Sequence, residues 1–411
     1  MVVIECGTLI DGQSDEPYRG ARVRVDDGEV VEAGPAESVS VPDGATVHDH
    51  GDAVVIPGLI DAHLHLSGAR SMDPMTWTTE PDTLGAARAT ADLRSLIEAG
   101  FTAVRDVGSA TGIGLKRAVD GGAVPGPEIF TSGPSISQTA GHGDSHMLPY
   151  EWITSGSGIA TLADGPAECR KEARKRIREG VDLLKIMTTG GVLSEKDSPR
   201  QSQFTDEEIS AMTEEAHRVD IPVASHAQGA PGIKSALRNG VDTIEHGFYL
   251  DEEAIELMQE CGAVFVPTLA IMHQIVEHGE DHGVPEYGLE KAREAQTAHF
   301  EAVERAYEAG VPIALGTDFI GPELVPHGEN VLEAELFVDA VGMNPMDAIR
   351  AGTSIAARTV PASDIGRVAA GYRGDLTVLE RDPLTDITAL RDVSAVYKAG
   401  ERVVDDGETV A

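Results

Sequence analysis

The sequence predicts an α/β protein: a (β/α)8, or TIM, barrel over residues 58–361, with a small β-sandwich domain built from both chain ends, 1–57 and 362–411. Three observations predict it. Short apolar runs alternate with helical stretches eight times through the middle of the chain, as strand–helix repeats do. The two ends share a different style, in which β-branched runs are broken by Gly, Asp and Pro. Four histidines, a lysine and an aspartate fall in or at the ends of predicted central strands, where such a barrel carries its chemistry.

Taken in order, VVIE, ARVRVDDGEVVEAG and TVHDHGDAVVIPG read as strands and turns, with Asp26-Asp27-Gly28 as a hairpin signal between two alternating runs. The eight central runs are VVIPGLIDAHLH ending at His65, TAVRDVG (102–108), EIFTSG (128–133), DLLKIM (182–187), PVASHA (222–227), DTIEHG (242–247), AVFVPT (263–268) and PIALGTD (312–318). Between the fourth and fifth, Thr205 is the expected N-cap of a helix whose first-turn acids, Asp206, Glu207 and Glu208, suit the helix dipole. That helix is expected to run to Ile221-Pro222, where the proline stops it. LEKAREAQTAHFEAVERAYEAG is a second helix, ended by Gly310. GDLTVLE and SAVYKAGERVVDDGETV, with a second turn at Asp405-Asp406-Gly407, resume the β style. A doubly wound sheet is the structural alternative; the strand-end residues favour the barrel.

The 411 residues include 69 Asp plus Glu against 32 Lys plus Arg, a formal charge of −37, while 41% hydrophobic and 25% charged residues are ordinary for a folded protein. The excess acid therefore belongs on the surface. Such a surface repels phosphate backbones and anionic headgroups, which excludes nucleic-acid and membrane partners. With 8 Lys against 24 Arg and only 4% aromatic residues, it predicts a cytoplasm of high salt. Cys6, Cys169 and Cys261 are odd in number and widely spaced, as free thiols in a reducing compartment are. No apolar run approaches the roughly 18 residues of a membrane span, and MVVIECGTLIDGQ begins as a strand rather than a signal peptide. The expected setting is cytoplasmic, and the outer helices leave room for a homo-oligomer.

His63-Leu64-His65 ends the first central run, and period-two alternation points both imidazoles to the same side. Lys185 lies in the fourth run, His226 and His246 near the ends of the fifth and sixth, and Asp318 at the end of the eighth. Imidazole and carboxylate together suit a divalent ion such as Zn²⁺. A lone histidine is usually a core or surface residue; six such groups gathered at strand ends are not explained that way. Lys185 sits in the apolar stretch GVDLLKIMTTGG, where burial lowers an amine's pKa. A neutral amine can take up CO₂ as a carbamate, whose two oxygens can bridge two metal ions. A snorkelling or salt-bridged lysine is the alternative.

The set Asp61-Ala62-His63-Leu64-His65, Lys185, His226, Ile244-Glu245-His246-Gly247 and Gly316-Thr317-Asp318 resembles the metal-dependent amidohydrolase superfamily. SGPSISQTAGHGD (132–144), KIMTTGGVLS (185–194) and VDTIEHG (241–247) are similar to its imidazolonepropionase-related branch, which includes Xaa-Pro dipeptidases and arginine or lysine carboxypeptidases. The resemblance covers nearly the whole chain. It implies two divalent metal ions, Zn²⁺ in the first instance. His63, His65 and Asp318 would hold one and His226 and His246 the other, bridged by carboxylated Lys185 and a hydroxide. The implied reaction is hydrolysis of a C–N bond in a small-molecule amide, cyclic amide or dipeptide-like substrate. Asp318 would accept the hydroxide's proton and pass it to the leaving nitrogen. His142, in the GHGD loop, is a candidate to hydrogen-bond the carbonyl oxygen in the tetrahedral state, with a loop-structuring role as its alternative. Asp144 and His146 read as structural. Gln228, Tyr249 and His327 are candidate substrate-binding residues, although dipeptidase-like relatives often carry an aromatic residue or histidine where this chain has Gln228.

Two other readings stand beside this one. A mononuclear imidazolonepropionase- or deaminase-type enzyme of the same fold lacks the bridging lysine. Deaminases also carry a Glu just beyond the fifth-strand histidine, where this chain reads HAQGAPGI. A non-catalytic barrel scaffold would have lost ligands, and all six positions are filled.

Overall fold

The computed structural model describes residues 1–154 and 160–410. Val2–Leu9 pairs antiparallel with Tyr18–Asp26, which returns as Glu29–Pro35. The turn between them places Asp27 and Gly28 at φ of 49° and 86°, the left-handed pair that a tight hairpin of matching twist needs. The other edge of Val2–Leu9 runs parallel to Thr46–Asp49 and then to Val54–Pro57, which pairs antiparallel with Leu376–Leu379. Val393–Lys398, Glu401–Asp405 and Glu408–Thr409 continue from there. Both chain ends thus share one nine-stranded sheet over a core that includes Ile4, Leu9, Val23, Val55, Leu376 and Tyr397. The strands expected to form a sandwich are hydrogen-bonded as one continuous sheet, because Val2–Leu9 has partners along both edges.

The central strands are parallel. Leu59–Leu64, Phe101–Asp106 and Glu128–Thr131 form one sheet. Leu184–Met187, Val223–Gly229, Thr243–Tyr249 and Val264–Val266 follow one another in a second, which also takes Ser135–Ser137 and Ala160–Leu162 at one edge. Hydrogen bonds cross both gaps between these sheets. Asp182 N–H donates to the Thr131 carbonyl at 2.9 Å. On the far side, residues 312–319 lie between the last strand and the first. Phe265 N–H donates to the Pro312 carbonyl (2.9 Å), Ala62 N–H to that of Leu315 (2.8 Å) and Asp318 N–H to that of His63 (2.7 Å). Nearly every strand residue is buried, as in parallel sheets covered by helices. Ile60, Ala62, Leu183, Ala224, Val266 and Ala314 pack together from several strands, and a larger apolar cluster includes residues of both strands and helices.

The first apolar run divides at Gly58, where a Cβ would come within 2.1 Å of the Thr102 side chain, so only glycine lets the chain pass from one sheet to the other. The eighth run is not a regular strand: it bridges only at Ile313 and Phe319. Pro312 has no N–H to give, a Cβ on Gly316 would meet the His63 backbone at 2.9 Å, and Asp318 takes φ 59°. The helix capped by Thr205 has the expected reciprocal bonds with Glu208 but ends at His217, short of Pro222. Asp220 turns left-handed at φ 58° and Ile221 N–H returns to the Ala216 carbonyl, so the chain has left the helix before the proline. The long helix Glu286–Glu308 ends as expected, with Gly310 at φ 77°.

Candidate metal centre

Alternation along Leu59–Leu64 brings His63 and His65 to Asp318. Their Nε2 atoms lie 3.4 and 3.0 Å from Asp318 Oδ1. The His246 ring stands 4.9 Å from that of His63 and 4.6 Å from that of His226. Ligand atoms of His63, His246 and Asp318 all lie within 4.8 Å of one another, near enough for one ion to touch all three. This tight group takes members from both of the ligand sets that the resemblance implies. His246 and Asp318 sit at φ 74° and 59°, left-handed positions that cost a non-glycine residue on the order of 1–3 kcal/mol each and persist where a site fixes side-chain direction.

The amine of Lys185 is buried without a hydrogen-bond partner among the described residues. Burial pushes its pKa down to about 8, with the Glu245 and Asp318 carboxylates opposing. Burial alone would raise the Asp318 carboxyl, but His63 and His65 hold it well below the usual range, so it is an anion. An orphaned buried amine beside imidazoles and an anionic carboxylate fits a metal centre, and fits conversion of that amine into a ligand.

Residues beyond the ligands fix their orientation. Glu245 Oε2 accepts from His63 Nδ1 at 2.6 Å, which leaves Nε2 as the ligand atom. Arg105 Nη2 donates to both Glu245 oxygens (2.7 and 2.8 Å), and its Nη1 to Thr243 Oγ1 (3.0 Å). His226 Nε2 donates to the Gly190 carbonyl (3.1 Å), and His246 Nδ1 meets Thr268 Oγ1 (2.8 Å). Asp61 accepts from the His63 N–H, Thr317 Oγ1 and Asn330 Nδ2 at 2.9, 2.7 and 2.6 Å. It therefore ties the first strand to the eighth run. Sequence reasoning missed Glu245 and Arg105. The available signal was opposite charges inside two otherwise apolar runs, since charges in buried strands are paired.

A cavity of about 500 Å³ opens over this cluster, with His142, Lys185, Gln228 and Asp318 in its wall beside apolar side chains such as Trp77 and Phe248. His142 stacks on His226 (centroids 4.1 Å, 19°), and the buried Gln228 Oε1 has no partner among the described residues. Asp144 structures its loop by accepting the Ala140 N–H, and both it and His146 also line the cavity. Tyr249 and His327 are not in the wall of this cavity. Tyr249 lies beneath the Arg200 guanidinium at 3.6 Å. His327 donates from Nε2 to the His65 carbonyl at 3.1 Å, and burial pushes its pKa down to about 4.

Imidazoles and a carboxylate at the carboxyl ends of parallel strands, under a ligand-sized cavity, define an α/β enzyme of the metal-assisted hydrolase class. The chain belongs to the amidohydrolase family, whose family model matches residues 54–403. It is similar to ochratoxinase of Aspergillus niger, at 33% identity over 98% of this chain and 86% of that protein. The crystal structure of that ochratoxinase superposes with a TM-score of 0.89 at 32% identity, over 98% of this chain and 95% of that one. A prolidase crystallised with N-methylphosphonate-L-proline gives 0.91 at 33% identity, over 98% and 100%. Imidazolonepropionase of Cereibacter sphaeroides is 25% identical over 92% of both chains. The chain is a hydrolase acting on carbon–nitrogen bonds. No helix among the described residues is long and apolar enough to cross a membrane.

Proposed function

We propose that the chain is a binuclear amidohydrolase that cleaves an amide, cyclic amide or dipeptide-like bond of a small molecule. Its fold in this reading is a (β/α)8 barrel of residues 58–361 with a composite β-domain of 1–57 and 362–411. The observation that carries the reading is the Lys185 amine, buried, without a hydrogen-bond partner among the described residues, and at a lowered pKa beside Asp318 and the histidines. His63, His65 and Asp318 would hold one divalent ion, Zn²⁺, and His226 and His246 a second, with the Lys185 carbamate between. Bound there, such ions would lower the pKa of a bound water towards neutrality and polarise a carbonyl. Asp318, held ionised by His63 and His65, takes the proton of the attacking water and gives it to the leaving nitrogen. His142 meets the amide from the cavity wall. The prolidase and ochratoxinase likenesses support the substrate class.

A single-ion centre is the second reading, favoured by the tight group of His63, His246 and Asp318. Metal analysis of protein kept in molar salt separates them: about two ions per chain supports the pair, one supports the single site. Asp318→Asn should keep the metal and lose turnover. Lys185→Ala should lose metal, with partial rescue by short carboxylates; unchanged metal content and rate in that variant would remove the carbamate. Substrates are sought among N-acyl amino acids, dipeptides ending in Pro, Arg or Lys, and cyclic amides.

A further inference from the structure

We propose that Ser194 and Asp197 are positioning residues for His142: they keep its ring proton on Nδ1 and leave Nε2 as the nitrogen offered to the substrate. The inference rests on the reading above only in that His142 meets the amide.

The ring has little freedom. It stacks on His226, and Gly191 lies so close that a Cβ there would come within 2.1, 2.5 and 2.7 Å of Cε1, Nδ1 and Nε2. His142 Nδ1 meets Ser194 Oγ at 3.1 Å. The order of protons follows from what stands behind that serine. Ser194 Oγ makes a short hydrogen bond to Asp197 Oδ1. The same oxygen accepts the Gly191 N–H at 3.1 Å, and Asp197 Oδ2 accepts from Gln203 Nε2 at 3.2 Å. A carboxylate can only accept, so the single Ser194 proton goes to Asp197 and the serine presents a lone pair to the ring. The proton between ring and serine is therefore that of His142 Nδ1. The alternative acceptor for Ser194, the Gly191 carbonyl, is farther away at 3.4 Å.

The frame around this chain of bonds is built from two other side chains. Gln203 Oε1 accepts the His142 N–H at 2.9 Å while its amide nitrogen reaches Asp197, so one residue joins both loops. Lys291, on the helix Glu286–Glu308, donates to the carbonyls of Gly191 (3.2 Å), Ser194 (2.6 Å) and Asp197 (2.8 Å). The loop that carries Ser194 and Asp197 is thereby held to a long helix, and His142 takes its orientation from that loop. Neutral and so oriented, the ring offers Nε2 as an acceptor, which suits an N–H of the substrate's amide and not the carbonyl oxygen expected of it from the sequence.

The test uses the full-length protein, ¹⁵N-labelled, loaded with Zn²⁺ and kept in molar salt. Long-range ¹H–¹⁵N correlations, with the His142 signals assigned by their loss in His142→Gln, read the tautomer without any turnover. Nδ1-protonated His142 is expected, and the Nε2-protonated neutral ring would overturn the proposal. Ser194→Ala and Asp197→Asn should populate the other tautomer and lower kcat by about 10- to 100-fold, the usual effect of removing an orienting partner. KM should stay within about two-fold and Ser194→Thr should recover most of kcat. Ser194→Ala with wild-type tautomer and wild-type kcat would likewise overturn it. If Ser194→Ala does not fold, the tautomer of Asp197→Asn decides. Absence of amide hydrolysis would sink the proposed function and leave the tautomer measurement standing.

Discussion

Glu245 orients one member of the candidate metal centre, His63, without being a candidate ligand itself. It is fully buried between His63 and Arg105, and burial alone would raise its carboxyl, but Arg105 and His63 hold it well below the usual range. Replacing it with Gln keeps the shape and removes the charge, which leaves the buried Arg105 guanidinium uncompensated and loosens the hold on His63. Breaking a buried pair in this way costs about 3–5 kcal/mol, and losing an orienting carboxylate weakens metal binding about 10- to 100-fold. Denaturant unfolding of the metal-free protein reads the first and metal titration the second. Wild-type metal affinity in Glu245→Gln would mean that His63 is oriented by something else. This residue was hard to read from sequence because Arg105 lies 140 positions away, and spacing along a chain says nothing about pairs across a fold. His63, His65, Lys185, His226, His246 and Asp318 were legible because strand alternation and strand ends are local properties. Tyr249 and His327, chosen from the same local cues, lie outside the cavity wall. Proximity in sequence to a ligand or a strand end does not say which way a side chain turns once the strand stops.

Among the elements, the helix Leu269–His278 is held by a device that pH should expose. Glu333 accepts the N–H groups of Leu269 and Ala270 at 2.9 and 2.6 Å, next to Thr268, whose hydroxyl meets His246. Burial pushes the Glu333 carboxyl up to about 8. A carboxyl raised on folding means that the native state keeps a proton the unfolded chain releases near pH 4.3, so stability falls as pH rises from there to about 8. Glu333→Gln keeps an acceptor oxygen and removes the titration. Because Gln meets only one of the two N–H groups with an oxygen, the variant should melt lower than the wild type near pH 5, but it should lose less between pH 5 and 8, as measured in parallel thermal scans; identical pH slopes would show that this carboxyl ionises normally. Local rules anticipated the Thr205–Glu208 cap and the Asp27-Gly28 turn, because each is decided within four residues. They did not anticipate the end of the same helix at His217 or the irregular eighth run. Those follow from backbone φ values at Asp220 and Asp318 that the surrounding fold imposes.

At the scale of the whole molecule the charge of −37 predicts that stability depends on salt. With 69 acids and 32 lysines and arginines, pairing every cation would still leave 37 acids without a partner. Salt acts on this surface in two opposite ways. It weakens ion pairs such as Arg238 with Glu253 and Arg381 with Asp386, at 2.5 and 2.7 Å, and each exposed pair is worth at most about 1 kcal/mol. It also screens repulsion among the unpaired acids, over a distance that shrinks from about 10 Å at 0.1 M to about 3 Å at 1 M. The surplus is larger than the paired set, so the second effect should win and the melting temperature should climb between 0.1 and 3 M KCl. Replacing the exposed Glu37, Glu256, Glu260, Glu301 and Glu304 with Gln removes five of these charges without touching the cavity. If bulk repulsion is the cause, the variant should reach half of its salt-dependent gain at lower KCl than the wild type. A melting temperature that is flat or falling with salt would remove the expectation of a high-salt cytoplasm. A rising curve that the five substitutions leave unmoved would assign the gain to specific ion binding instead of screening.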